Sequence, residues 1–179
     1  MIRLLTAAAI AAVLATPALA ALKAGEKAPD FTAPGFQAGK ALTFSLAEAR
    51  KKGPVVLYFF PAADTAGCNL EAKMFADAMP QFAANGATVI GVTAGKLEKL
   101  QQISADTDKC SGKFPVAADP GARIAKQYDS VMAAKPDWSD RTSYVISPKG
   151  DVIHAYSKLD PTEHVAQTLG AVKAFNAKR

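Results

Sequence analysis

Val55-Val56-Leu57-Tyr58-Phe59-Phe60 is an unbroken apolar run, rich in β-branched and aromatic side chains, and Pro61 halts it. Such a run fits a strand covered on both faces. A strand of that kind needs a layer on each side, which points to a layered α/β fold. Ala87 to Thr93 (ATVIGVT) reads as a second buried strand. Between the two, residues 67–84 read as a helix, with Leu70, Met74, Ala78 and Phe82 at four-residue spacing. Pro80 should kink or shorten that helix. Asn85-Gly86 should end it.

The rest of the chain extends the pattern. Ala21 to Gly39 is rich in Gly, Pro and polar residues and reads as an extended lead-in with turns. Residues 95–108 suggest a more polar, exposed helix. Phe114 to Ala118 suggests a short third strand, closed by the turn Asp119-Pro120-Gly121, and Arg123 to Tyr128 a short helix. Thr142–Ile146 and Val152–Tyr156, joined by Pro148-Lys149-Gly150-Asp151, read as a β-hairpin. Asp160-Pro161-Thr162-Glu163 opens a last helix, with Val165, Leu169, Val172 and Phe175 on one face. The whole implies one α/β domain over residues 21–179, with a central mixed β-sheet flanked by helices and no internal repeat or linker.

A chain of 179 residues suffices for one domain with its own core. Half of it is apolar, which argues against disorder, although 38 alanines thin out the large core side chains. Two cysteines cannot build a disulfide-rich scaffold or a four-cysteine zinc site, and two histidines do not favour a histidine-cluster metal site. No cofactor is expected. The formal charge of +5 is scattered, with no basic run longer than Lys51-Lys52, which does not suit a nucleic-acid partner.

Residues 1–20 read as an export signal. Arg3 supplies the positive end, Leu4 to Leu14 the apolar region, and Ala18-Leu19-Ala20 the small-x-small cleavage pattern. The apolar run is short for a span of about 20 residues. Cleavage after Ala20 would leave an exported protein without a membrane anchor. A simple alanine-rich signal suggests a bacterial periplasm, where disulfides persist.

The chemistry concentrates where the first buried strand ends. A loop from Pro61 to Gly67 leads to Cys68, in the first turn of the next helix. A thiol there meets unpaired N–H groups and the positive end of the helix, which favour the nucleophilic thiolate. Thr65, three residues earlier, could cap the helix and hydrogen-bond the sulfur or an incoming oxygen. The competing reading is a small buried hydrophobe, a common fate of free cysteine.

Pro61-x-x-x-Thr65-x-x-Cys68 resembles the active-site pattern of the peroxiredoxins. The likeness continues in Gly25-Glu26-Lys27-Ala28-Pro29-Asp30-Phe31, in Gly86 to Val92 and in Arg141-Thr142-Ser143-Tyr144-Val145-Ile146, so it covers nearly all of residues 24–176. The loop is most similar to the bacterioferritin-comigratory, or Q-type, subgroup, with Ala66 where that subgroup usually has proline. The resemblance implies a thioredoxin-like fold and reduction of hydrogen peroxide and organic hydroperoxides. It implies Cys68 as peroxidatic nucleophile, Thr65 orienting the peroxide, Pro61 shielding the thiolate, and Arg141 stabilising thiolate and transition state. It also implies a thioredoxin-like protein as reductant; the oligomeric state stays between monomer and homodimer.

Some Q-type relatives carry a resolving cysteine five residues after the peroxidatic one; here that position is Lys73. Others place it near the helix after the second central strand, which implies Cys110 as the resolving residue and a Cys68–Cys110 disulfide. Two alternatives stay open: a permanent structural disulfide in a non-catalytic binding protein, or an inert Cys110 with an external thiol. No Cys-x-x-Cys is present, which disfavours a thiol-disulfide oxidoreductase. His154 reads as a packing or surface residue and His164 as solvated. Trp138 could wall the site or pack in the core, and Tyr58 and Phe59 read as core.

Overall fold

The structure, a computed structural model, describes residues 21–95 and 97–178. The expected export signal at residues 1–20 lies outside them. In chain order the elements are β1 (Thr32–Gln37), β2 (Lys40–Ser45), α1 (Leu46–Arg50), β3 (Val55–Phe59), α2 (Ala66–Ala84), β4 (Thr88–Thr93), α3 (Leu97–Ala105), β5 (Val116–Ala118), α4 (Arg123–Gln127), β6 (Val131–Met132), β7 (Lys135–Ser139), β8 (Thr142–Ile146), β9 (Val152–Ser157) and α5 (His164–Asn176). Seven strands form one mixed sheet in the order β2-β1-β5-β4-β3-β8-β9, and β6 and β7 form a separate ribbon.

The apolar run becomes the middle of that sheet. β3 pairs in parallel with β4 and antiparallel with β8, and all five of its residues are buried. Successive side chains on a strand point to opposite faces. Val56, Tyr58 and Phe60 therefore enter one core with Phe75 and Phe82 of α2 and Leu100 and Ile103 of α3. Val55, Leu57 and Phe59 enter the other, with Phe31, Phe44, Tyr128 and Tyr144. Tyr58 and Phe59 are thus core residues, as expected. The mixed sheet with helices on both faces is the expected fold class.

Several local expectations are corrected. Thr32–Gln37 is a sheet strand, not a turn-rich lead-in: β1 lies between β2 and β5. Pro34 and Gly35 disguise it, and Gly35 is needed because a Cβ there would lie 2.3 Å from the Val116 carbonyl oxygen. Pro80 does not shorten α2, which runs on to Ala84. Proline removes the N–H that would bond the carbonyl four residues back. That carbonyl, Ala76 O, accepts instead from Lys113 Nζ at 3.1 Å. Leu70 is exposed at 47%, because Phe75 and Phe82, with Cys68, Glu71 and Ala72, set the buried face. The helix after β4 ends at Ala105, where Asp106 accepts from Lys109 N and Ser111 N and folds the chain into turns.

Candidate active site

β3 ends in the core, and the loop after it delivers Cys68 to the third position of α2, one turn above the Thr65 N-cap. The thiol is 5% exposed. Arg141 reaches it from the start of β8, with Nη2 3.5 Å from Cys68 Sγ. β3 and β8 are hydrogen-bonded neighbours, with Phe59 opposite Thr142, so the end of one strand and the start of the other open onto one place. Gly67 leaves room for the guanidinium: a Cβ there would lie 3.3 Å from Nη2.

The guanidinium is held on every side. Nε donates to Leu159 O at 2.7 Å, and Nη1 donates to the Glu71 carboxyl. Burial works against the Arg141 charge, but Glu71 and Cys68 more than offset it and its pKa is raised. Glu71 is itself fully buried. Burial pushes its pKa up to about 8 against the pull of Arg141. Sequence reasoning missed Glu71. It lies one turn after Cys68, on the same helix face, and that spacing is the signal that could have found it.

Thr65 occupies the N-cap position, but its hydroxyl does not cap the helix and makes no bond to the sulfur. It donates to Ala62 O at 3.3 Å, because the loop turns back on itself there. Pro61 and Ala62 line a shallow cavity of about 280 Å³ with Ala94, Gly95 and Trp138. Trp138 is 41% exposed, so it walls the surface beside the loop and does not pack in the core.

Cys110 lies in the turns after α3, fully buried, in the same core cluster as Cys68. Both cysteines are free. Burial, then Asp106, push the Cys110 thiol up to about 12. Lys109, beside it, bonds Asp64 of the active-site loop at 2.9 Å and Asp106 at 3.1 Å. Asp64 takes a left-handed backbone, φ 67°, which aspartate tolerates better than most residues.

His164 is not solvated. It is fully buried behind Arg141, because its ring finds hydrogen-bond partners on both sides. His154 is half-buried on β9 and belongs to no part of the site.

The chain matches the model of the AhpC/TSA family over residues 24–155. It is similar to "Peroxiredoxin Bcp" of Bacillus subtilis, 29% identical over 163 residues, which cover 88% of this chain and 99% of that one. It is 31% identical over 151 residues to a putative peroxiredoxin of Mycobacterium tuberculosis, covering 82% of this chain and 92% of the relative. Among solved structures, peroxidoxin BcpB of Mycobacterium tuberculosis superposes with a TM-score of 0.75 at 26% identity, over 86% of this chain and 97% of that one. A reduced 2-Cys peroxiredoxin of Plasmodium vivax shares the fold, with a TM-score of 0.77 at 19% identity over 87% of this chain and 97% of that one. A buried cysteine at a helix start, faced by a tethered arginine in a sheet of this topology, therefore has its explanation in descent: the chain belongs to the AhpC/TSA family and is a peroxiredoxin-type thiol peroxidase of the Bcp/peroxiredoxin Q kind.

Proposed function

We propose that Cys68 is the peroxidatic nucleophile of this enzyme. The observation that carries the reading is the Arg141 guanidinium 3.5 Å from Sγ in the first turn of α2. The thiolate attacks one peroxide oxygen and the O–O bond breaks. Sulfur is oxidised by two electrons to a sulfenic acid, and the other oxygen leaves as hydroxide or alkoxide and takes a proton from water. Arg141 and the helix-terminal N–H groups hold the developing charge without reorganising. Pro61 shields the thiolate. Thr65 exchanges its bond to Ala62 O for one to the peroxide.

Cys110 then resolves the intermediate: its sulfur bonds Cys68, water leaves, and a disulfide remains. Disulfide geometry needs Cα atoms within about 7 Å, so the first turn of α2 and the turns around Cys110 loosen at this step. A thioredoxin-like dithiol protein returns both thiols. The substrates are hydrogen peroxide and organic hydroperoxides, met in the periplasm by a chain that has lost residues 1–20. The complete burial of Cys110 favours a second reading of the resolution step, in which an external thiol reduces the sulfenic acid directly.

The test is peroxide consumption by protein beginning at Ala21, with a dithiol reductant. Cys68→Ser is expected to lose turnover while its circular dichroism spectrum stays native. Undiminished turnover in that variant overturns the assignment.

A further inference from the structure

His164 opens α5 and is fully buried. Its Nε2 lies 2.9 Å from Lys158 O and its Nδ1 2.8 Å from Ser143 Oγ. A carbonyl oxygen only accepts, so Nε2 carries the proton and Nδ1 accepts from the serine hydroxyl. Burial, which lowers the His164 pKa, favours the neutral ring this arrangement requires. The Tyr156 ring meets the imidazole edge-on at 4.9 Å between centroids, and its own hydroxyl donates to Glu163 at 2.6 Å.

Both ring nitrogens lie on paths that lead towards Arg141. Lys158 precedes Leu159, whose carbonyl holds Arg141 Nε at 2.7 Å, and Lys158 N donates to Arg141 O at 3.2 Å. On the other side, Nδ1 lies 3.7 Å from Glu71 Oε1, and the second oxygen of that carboxyl accepts from Arg141 Nη1. Glu71 Oε1 has no hydrogen-bond partner among the described residues, and the imidazole packs against it without bonding it. With Nε and Nη1 both tied, Nη2 is the corner of the guanidinium left to face Cys68 Sγ.

We propose that His164 is a positioning residue for the peroxidase reaction: it fixes the Lys158–Leu159 turn, packs against the Glu71 carboxyl, and so aims Arg141 Nη2 at Cys68. It touches neither sulfur nor substrate. The proposal rests on the reading of Cys68 as the nucleophile.

The test compares reduced wild type with His164→Leu and His164→Gln. The readouts are the pH profile of Cys68 alkylation by iodoacetamide, located by mass spectrometry, the rate of peroxide reduction, and the thermal midpoint. A merely structural histidine moves the midpoint alone. A loosened guanidinium stabilises thiolate less, so His164→Leu should carry its alkylation profile about one pH unit upward and alkylate about tenfold more slowly at neutral pH. Peroxide reduction should slow at least as much. His164→Gln should recover part of both, because an amide N–H can still donate to Lys158 O. An alkylation profile that superimposes on wild type overturns the proposal, whatever the thermal midpoint does. If His164→Leu does not fold, Ser143→Ala decides: it frees Nδ1 and leaves the Lys158 contact. A smaller upward shift supports the proposal, and an unmoved profile overturns it. Failure of wild type to consume peroxide would defeat the reading of Cys68 instead, while the alkylation profiles still judge the tether on Arg141.

Discussion

Replacing Glu71 with glutamine tests whether the acid beside Arg141 holds a proton. The substitution keeps shape and leaves an amide oxygen to accept from Arg141 Nη1, while removing the titration. In the folded protein burial raises this carboxyl to about 8 from the ordinary 4.5. A raised pKa means that the folded state binds the proton more tightly than the unfolded chain. The resulting stabilisation is fully present below pH 4.5 and is lost as pH rises through 8. Inside that window each pH unit is worth about 1.4 kcal/mol, so the step from pH 5 to pH 7 removes about 3 kcal/mol. For a chain of this size 1 kcal/mol moves Tm by roughly 2–4 °C. The Tm difference between wild type and Glu71→Gln should therefore change by roughly 6–12 °C between pH 5 and pH 7. Both proteins are best compared in a Cys68→Ser background, which removes thiol oxidation. His154 and His164 have pKa values lowered by burial and act with the opposite sign, losing stability as pH falls. His154 lies outside the site and cancels in the difference, whereas His164, 3.7 Å from Glu71 Oε1, works against the Glu71 effect. Parallel Tm–pH curves would refute the reasoning and make Arg141–Glu71 an ion pair charged throughout.

Three further outcomes follow from the site. Arg141→Ala should slow peroxide reduction by about two to three orders of magnitude, the usual cost of losing one preorganised donor, while stopped-flow rates within a few-fold of wild type would remove Arg141 from the reaction. Cys110→Ser should consume one equivalent of peroxide and then stall at Cys68 sulfenic or sulfinic acid in mass spectra, whereas wild type shows the intramolecular disulfide. Steady turnover of that variant with a thioredoxin-like donor would favour the one-cysteine cycle. Lys109→Met severs the link between the Cys110 turn and Asp64. Amide exchange across residues 106–113 and alkylation of Cys110 should both speed up, and unchanged exchange would show that the link restrains nothing.

The sequence by itself determined the middle of the molecule. Val55 to Phe60 and Ala87 to Thr93 read as buried strands because their apolar runs are continuous, and continuity is a local property. The Thr142–Ile146 and Val152–Ser157 hairpin was legible for a similar reason, since its turn residues lie between two short apolar segments. Cys68 was legible because a helix start is written locally, in a loop, a cap position and an amphipathic run. The β1–β2 hairpin was not, because Pro34 and Gly35 suit that strand only once the Val116 backbone lies against it. The β6–β7 ribbon pairs the two residues Val131-Met132 with the mostly polar Lys135–Ser139, too short and too broken by Pro136 to show a strand pattern.

Only the tertiary structure decided how the site is wired. Arg141 and Glu71 are 70 residues apart, and Arg141 and Cys68 are 73 apart. A histidine at a helix start reads locally as a solvated side chain, and the one-turn spacing from Cys68 marks Glu71 only as a neighbour on the helix, not as a buried acid. Both became parts of the site because α2, β8 and α5 converge on one desolvated pocket, where a polar group must find a partner or lose several kcal/mol. Packing also buried Cys110, in the turns after α3, and Thr65 was turned to Ala62 O by the fold of its own loop. Backbone periodicity is set by neighbours in sequence, whereas the state and direction of a charged side chain are set by what the rest of the chain packs around it.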